Sequence, residues 1–464
     1  MSEEKANIQQ GGLQRVAPLS AEEALSPSTY QLKSIKLYTN KGGKPLNLVP
    51  SVTKITVEES IETSGINVTL NISDSISLLE YYKIIGNERI EMVISHIPVT
   101  DKEERTVEVK LRISDIHKYS RIKPGLQEYE FVCVSEHVYN DSVKELVRRF
   151  SGSYGEEIEK ICKRELSIDE DKLEINKGGG LVNGIYTRLN PLQAINWLVR
   201  NATDDKTPFF FYETFGGKNK IRLESLKDMI DKDVHESYFY KPMAENVTGI
   251  SNEDPKAQYK DEKQQILTFS STLDASKLRG LSDGSYASTT HNLNYANKSY
   301  EVIEYNYKRT NKLNENDPIP TLETSYINEK KFGDHIDGKE YFINQNTLQF
   351  SKEEPNYHEV NTISLAASTS YLKNLDNQTQ EITLAGDLDL SCGSKIELNI
   401  YRPQWEGKKD PFDTYFSGNY IVIKITHEFE QQYKMKLTVQ KDSYIESVDE
   451  IVEIKGEGTE VDNA

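Results

Sequence analysis

Histidine and carboxylate side chains could do chemistry in this chain, but their spacing favours no known reaction. The eight histidines are scattered without metal-ligand spacing, and none lies in a nucleophile motif. His427 lies within an alternating strand pattern, so a polar residue at a strand end explains it more simply than catalysis. Asp and Glu number 74, yet nothing in the sequence brings two of them together as a pair for hydrolysis. We therefore expect no catalytic residue and no metal site.

Glycine pairs and cysteines also fail to form a recognisable cofactor site. Gly42-Gly43-Lys44 and Gly216-Gly217-Lys218 lack the upstream glycine and the following Ser or Thr of a phosphate-binding loop, so we interpret both as turns. Three isolated cysteines give neither a disulfide framework nor zinc spacing. We expect Cys133 and Cys392 to be small core residues. The sequence accordingly predicts no cofactor.

Length and charge narrow the class of protein. A chain of 464 residues should divide into about two to four domains. The net charge of −18 argues against gripping nucleic acid through its phosphates, although DNA could still pass through a channel with such walls. No apolar run approaches the roughly 18 residues of a membrane span. Residues 1–28 lack the layout of a signal peptide.

Two widely separated parts of the chain repeat one strand pattern. Arg89-Ile-Glu-Met-Val-Ile94 resembles Lys395-Ile-Glu-Leu-Asn-Ile400, and each is followed by two more alternating strands. The matched stretches are 89–94 with 395–400, 109–115 with 421–427, and 129–135 with 435–440. Two similar β-domains in one chain can fill quasi-equivalent positions in a ring. The repeat therefore indicates an assembly component before it indicates an enzyme.

Helical periodicity separates the two repeats. Apolar residues at helical spacing over 143–150 predict one helix, with Asp141 or Ser142 as its cap. A second helix is expected over 156–166, and a third begins at Asn190-Pro191, where an N-cap precedes proline. After these, Phe209 to Tyr212 start a hairpin with a buried first strand.

These patterns predict a β-dominated α+β chain in six segments. The segments are an extended arm (1–29), a first β-domain (30–135), an α+β insert (136–230), a linking region (231–355) that completes both β-domains and contains a polar excursion (310–355), a second β-domain (356–443) and an acidic tail (444–464).

Three stretches also carry a resemblance to a known family. They are 190–199 with 208–213 and 223–226, then 284–288, and finally 417–443. In this order and spacing the chain resembles the baseplate hub proteins of contractile-tailed phages of the T-even type. It also resembles the hub portion of the type VI secretion spike protein VgrG. The resemblance spans most of residues 30–445.

The resemblance implies a mechanical role. In such hubs each chain holds two β-barrel "tube" domains joined by an α+β insert, and three chains close into a ring with pseudo-sixfold symmetry. The homotrimer adapts the sixfold tail tube to the threefold central spike, pairs edge strands across subunits, and lines the path by which DNA leaves. The chain would be a virion component assembled in the host bacterial cytoplasm. Its partners would be itself, the spike protein and the tail tube protein, with baseplate wedge proteins as further candidates and DNA only in transit.

The matched strands supply the candidate assembly residues. They are Arg89, Glu91, Met92, Ile94, Lys395, Glu397, Leu398, Ile400, Ile425 and Phe429. Two alternatives stay open: a cell-wall-degrading or host-glycan-binding tail component, and the hub of a secretion-type contractile injection system. No lysozyme-like segment or spike repeat follows the second β-domain, so the spike is expected to be a separate chain.

Overall fold

A computed structural model gives the fold. It describes residues 27–40, 42–96, 105–204, 206–240, 255–273, 277–294, 298–307, 326–327, 329–345, 366–373, 375, 378–402 and 412–441. Most of the predicted arm (1–26), the parts 310–325 and 346–355 of the polar excursion, and the acidic tail lie outside the described residues.

Strands dominate the described residues, as the sequence predicts. The strands are β1 (Gln31–Tyr38), β2 (Leu46–Asn47), β3 (Val52–Ser60), β4 (Asn67–Asp74), β5 (Arg89–His96), β6 (Arg105–Lys123), β7 (Leu126–Ser135), β8 (Arg149–Ser153), β9 (Leu173–Ile175), β10 (Leu181–Ile185), β11 (Thr203–Asp204), β12 (Thr207–Glu213), β13 (Ile221–Ser225), β14 (Val234–Tyr240), β15 (Thr268–Leu273), β16 (Ala287–Asn294), β17 (Ser299–Asn306), β18 (Tyr326–Ile327), β19 (Lys330–Lys331), β20 (Glu340–Gln345), β21 (Gln378–Ala385), β22 (Lys395–Ile400), β23 (Gly418–Phe429) and β24 (Tyr433–Lys441). The helices are α1 (Leu78–Tyr82), α2 (Glu136–Asp141), α3 (Tyr154–Arg164), α4 (Pro191–Asn201), α5 (Leu226–Asp231), α6 (Pro255–Gln264) and α7 (Lys277–Ser282).

One sheet of 13 described strands contains two sets of strands with the same plan. The first set is hydrogen-bonded in the order β3-β4-β7-β6-β5-β1, and β2 adds a short pairing to β1. The second set has the order β15-β21-β24-β23-β22-β14. When the strands of each set are numbered along the chain, both orders read 2-3-6-5-4-1. The sets differ in one direction, because β1 runs antiparallel to β5 whereas β14 runs parallel to β22.

Register shows how the two sets correspond, and it corrects one sequence match. Arg89 lies opposite Arg112, and its counterpart Lys395 lies opposite Ile421. The prediction that 109–115 matches 421–427 is therefore wrong by three residues. Residues 420–423 are all buried, so alternation does not fix the register of this part of β23. A β-bulge, which inserts one unpaired residue and reverses the alternation beyond it, follows directly.

The bulge occurs at the same place in both sets. The register of β6 against β7 shifts across Ser114, and that of β23 against β24 shifts across Ile423. Just before it, the Ile113 N–H donates to the Glu88 carbonyl at 3.0 Å. The Val422 N–H donates equivalently to the Ser394 carbonyl at 3.0 Å. The two sets thus share a local irregularity as well as a strand order.

Alternation builds the core of the sheet. Val68, Leu70 and Ile72 of β4 are buried while Thr69 and Asn71 between them are half-buried, as their period of two predicts. Each such aliphatic side chain removed from water contributes about 1.5 to 3 kcal/mol. Cys133 and Cys392 are buried in this core, as expected.

Helices and short strands fill the span between the sets, and one predicted helix is absent. Residues 143–148 are not helical, and 149–150 begin β8. Val143 and Val147 are exposed, so the periodicity does not reflect one buried face. Predicted cap Asp141 instead accepts the Leu192 N–H at 2.6 Å, near the start of α4. Local spacing was outweighed by β-pairing between β8 and β10.

The other insert predictions agree with the structure. The expected helix over 156–166 is α3, which begins two residues earlier with a Ser153 capping box. Asn190 and Gln193 form a second capping box before α4. The predicted hairpin is β12 with β13. In the linking region, β20 lies within the polar excursion and pairs in parallel with β16.

Candidate assembly surfaces

The two sets are joined edge to edge by β3 and β23. On one edge, the start of β23 pairs with β22, and the remainder, 424–429, pairs antiparallel with β3. The register runs from Lys424 opposite Ser60 to Phe429 opposite Ile55. We call this pairing the internal joint. It gives β23 a neighbour along both edges, so its backbone groups need no further partner.

Glu59 is a buried carboxylate at the internal joint. It is 0% exposed and accepts three backbone N–H groups. Two come from Phe215 and Gly216, in the turn of the β12–β13 hairpin, and the third comes from Cys392 at 2.9 Å. Three donors from two separate loops satisfy a charge that would otherwise be costly to bury. Glu59 therefore fastens the insert and the second set to β3.

The glycine turn beside Glu59 allows a close backbone approach. A Cβ on Gly216 would lie 1.9 Å from the Leu390 carbonyl oxygen, so no other residue fits. The Gly217 N–H donates to the Leu388 carbonyl at 2.9 Å. This pair is a turn, as predicted, and its role is contact between the insert and the second set.

His427 is enclosed at the internal joint. It is 0% exposed, its Nδ1 lies 2.8 Å from the Tyr433 hydroxyl, and its Nε2 lies 3.8 Å from Glu59 Oε1 without a hydrogen bond. The ring of Phe215 packs on it with centroids 5.0 Å apart. No substrate can reach the ring, so its role is packing.

The predicted assembly residues divide into two groups. Those on β5 and β22 lie on strands with partners on both sides, β1 and β6 for β5, and β14 and β23 for β22. Met92, Ile94, Leu398 and Ile400 are buried, and Arg89, Glu91, Lys395 and Glu397 are half-buried. Ile425 and Phe429 lie in the internal joint at 0% exposure. The structure therefore brings only this last pair together at a surface between the sets.

The half-buried members have partners within the chain. The Arg89 guanidinium lies 4.5 Å from the Tyr38 ring centroid and 3.3 Å from the Glu91 carboxylate. Lys395 donates to the Ile230 carbonyl at 2.8 Å, and Ser237 donates to Glu397. These contacts bind β5 to β1, and β22 to α5 and β14.

A buried ion pair that sequence reasoning missed holds the loop between β21 and β22, which we call the corner of the second set. Asp387, 3% exposed, lies 2.8 Å from Lys263 Nζ and 3.5 Å from His235 Nε2. Burial alone would raise the pKa of Asp387, but the His235 hydrogen bond and the Lys263 charge outweigh it and hold the pKa well below its usual range. Glu59 was missed too, although its period of two with Ile55 and Val57 places it on the buried face.

One polar cavity lies between the first set and the insert, and its serine and histidine do not form a catalytic pair. Lys110, Asp169 and Lys172 are among its lining residues. The Ser135 hydroxyl donates to Glu213, not to His137, while His137 Nε2 lies 2.8 Å from the Ser64 carbonyl. A serine–histidine pair needs the imidazole within hydrogen-bond reach of the hydroxyl, and here His137 contacts the Ser64 carbonyl instead.

Among the described residues, no group of three His, Cys, Asp or Glu side chains could hold a metal ion. No helix in the same residues is long and apolar enough to cross a membrane.

No protein-family model matches the sequence, and no curated protein matches it. Solved structures do match. The tail protein from Neisseria meningitidis MC58 is 9% identical, with 89% of this chain and 97% of that chain covered and a TM-score of 0.49. The 43 kDa tail protein of prophage MuSo2 from Shewanella oneidensis is 9% identical, with 89% and 98% covered and a TM-score of 0.48. The E. coli protein c3393, a type VI secretion system component with structural similarity to the T4 tail proteins gp27 and gp5, is 7% identical, with 89% and 76% covered and a TM-score of 0.44. The structural neighbours of this chain thus include phage tail proteins and a type VI secretion component.

Proposed function

We propose that the chain is the structural hub of a contractile phage tail. The observation that carries this proposal is the duplication: two strand sets share one strand order, one bulge and one equivalent hydrogen bond beside it. A chain with two such sets can occupy two neighbouring positions of a ring, and three chains would then present six similar positions to a sixfold tail tube. The sequence resemblance to baseplate hubs points to the same arrangement.

Each set would be one barrel-like tube domain. In the second set, a bridge between Phe239 and Gln265 brings the end of β14 beside the start of β15, and the Ile266 N–H donates to the Phe239 carbonyl at 2.9 Å. In the first set, β2 pairs with β1 and leads within a few residues into β3. Both contacts bring together the two strands at opposite ends of the hydrogen-bonded order, β1 with β3 and β14 with β15, which supports closure into a barrel.

The hub would act as a symmetry adaptor and not as an enzyme. Its ring would bind the tail tube on one face and a separate threefold spike on the other, and it would line the exit path for DNA. The net charge of −18 suits a wall that DNA passes without sticking. As a virion component it would be assembled in the host cytoplasm.

Native mass spectrometry of the purified chain, alone and with spike and tube proteins, tests the hub. We expect a homotrimer, formed by the chain alone or on addition of the spike. A chain that stays monomeric with both partners present would overturn the proposal.

Activity and adhesion assays test the alternative class. We expect the chain to leave a peptidoglycan suspension turbid and to bind no host cells on its own. Clearing of the suspension would instead indicate a cell-wall-degrading component, and cell binding would indicate a glycan-binding one.

A further inference from the structure

The internal joint has a counterpart that is open. By register, β6 in the first set corresponds to β23 in the second, and β15 in the second set corresponds to β3 in the first. β3 and β23 pair with each other within the chain. β6 and β15 do not pair with each other, and each has an edge beyond its own set without a partner strand among the described residues.

On β6, the open edge begins after the bulge. Residues 105–112 pair with β5, but beyond Ile113 the one neighbouring strand among the described residues is β7. The Ile116 N–H donates to the Asp115 carboxylate, with 2.7 Å between N and Oδ1. The backbone groups available to another strand on this edge are therefore those that follow Ile116. Every residue from 117 to 123 is exposed, including Tyr119 at 48% and Ile122 at 56%.

On β15, the open edge faces away from β21. Thr268, Ser270 and Thr272 are exposed, and the strand has neither a charged residue nor a proline. Natural edge strands usually carry lysine, proline or a bulge to block unwanted pairing, so an unprotected edge is suited to pairing with another strand. The Ser271 Oγ is buried and has no hydrogen-bond partner in the described part of the structure.

We propose that the open edge of β6 pairs antiparallel with the open edge of β15 from another copy of this chain. This inference rests on the proposed hub and names the strands that would join its subunits. The pairing would repeat the internal joint between chains. Because it joins the first set of one chain to the second set of the next, it is head-to-tail and can close into a ring.

The internal joint supplies the register. In it, Glu428 lies opposite Thr56 and Thr426 lies opposite Glu58. On β6, Ser120 occupies the position that Glu428 has on β23, and His117 occupies that of Thr426. On β15, Ser270 occupies the position that Thr56 has on β3, and Thr272 occupies that of Glu58. The intermolecular joint would therefore place Ser120 opposite Ser270 and His117 opposite Thr272.

A cross-link tests this register. Opposed residues in antiparallel strands have Cα atoms about 4.5 to 5.5 Å apart, within the range of a disulfide. We expect the double variant Ser120→Cys/Ser270→Cys to give, after mild oxidation, covalent dimers and trimers on a non-reducing denaturing gel. The three native cysteines are buried, and burial raises the pKa of each thiol, so they do not compete.

Controls separate this register from chance contact. Each single variant should stay uncross-linked, whereas a mixture of the two single variants should give dimers only. The shifted pair Ser120→Cys/Thr268→Cys moves one thiol about 7 Å along the strand and should cross-link far less.

The outcomes also separate this inference from the proposed function. A native trimer in which Ser120→Cys/Ser270→Cys forms no covalent species would overturn the strand pairing and leave the hub standing. Dimers of Ser270→Cys alone would show that β15 pairs with itself, which also overturns the pairing. A monomer that ignores spike and tube would overturn both.

Discussion

β23 and β6 occupy the same position in their sets, yet one is enclosed and the other is open. Ile425 and Phe429 of β23 are 0% exposed, and β3 pairs along this stretch of the strand. The corresponding end of β6 is exposed from residue 117 onward. Whether a strand edge in this fold is covered therefore depends on whether a strand of the other set pairs with it. Within the described part of the chain, one of the two equivalent edges is covered and the other has no partner strand.

The loops that precede β22 and β5 also differ, since the first is held by buried contacts and the second is exposed. The loop between β21 and β22 is short, and Asp387 binds it to Lys263 and His235. The loop between β4 and β5 is longer, contains α1, and exposes Tyr81 at 80% and Ile85 at 74%. The loop of the second set is thus held by a buried ion pair, whereas the loop of the first set exposes apolar side chains.

The largest effect is expected in the enclosed edge. Phe429→Ala should lower the free energy of unfolding by about 4 kcal/mol, because it removes a fully buried ring that stacks on Tyr433 with centroids 4.3 Å apart. Arg121→Ala, at the equivalent place on the exposed edge, should leave stability unchanged. Urea denaturation of both variants measures the contrast, and equal losses would contradict it.

The corner of the second set should respond to pH. Asp387→Asn leaves Lys263 without its buried partner and should cost about 3 kcal/mol at neutral pH. Because the folded pKa of Asp387 is depressed, its contribution is present above the unfolded pKa of about 3.9 and is lost as pH falls through the folded pKa. The gap between wild type and variant should therefore narrow only in strong acid. A gap that narrows between pH 8 and 6 instead would contradict this assignment.

Neighbouring glutamates on β3 give a matched pair with a smaller effect. Glu59→Gln turns an amide nitrogen towards backbone donors and should cost about 2 kcal/mol. Glu58→Gln loses only an exposed ion pair with Lys424 at 3.4 Å and should cost less than about 1 kcal/mol. The difference in urea midpoint between the two variants measures the contribution of the internal joint.

The smallest effect on stability is expected at the open edge. Ile122→Ser should leave the unfolding of the single chain unchanged, since its side chain is already 56% exposed. It should nevertheless weaken the proposed trimer, which dilution followed by mass measurement would detect. Unaltered assembly would show that this part of the edge does not contact a second chain.

Sequence reasoning found the elements whose signals are local. The paired strands β5 and β22, the cap of α4 and the β12–β13 hairpin follow from alternation, Asn190-Pro191 and an apolar run. The offset of β6 against β23 was missed because residues 420–423 are apolar and buried on both faces, so alternation fixes no register there. Sequence analysis did not predict β15 as a strand, since Thr and Ser dominate it. The internal joint depends on contacts between distant residues, as with Glu59 and Cys392, and no short window shows them.

The antiparallel run of β3 against β23 also has a mechanical consequence. A pull that drags the two sets past each other along these strands loads all of the cross-strand hydrogen bonds from Lys424 to Phe429 together. A pull across the strands would open them one at a time. The chain should therefore be stiff in shear along this line and weaker in peeling. The Glu59 carboxylate, which accepts from donors in two loops, adds resistance to this shear at the β3 end of the pairing.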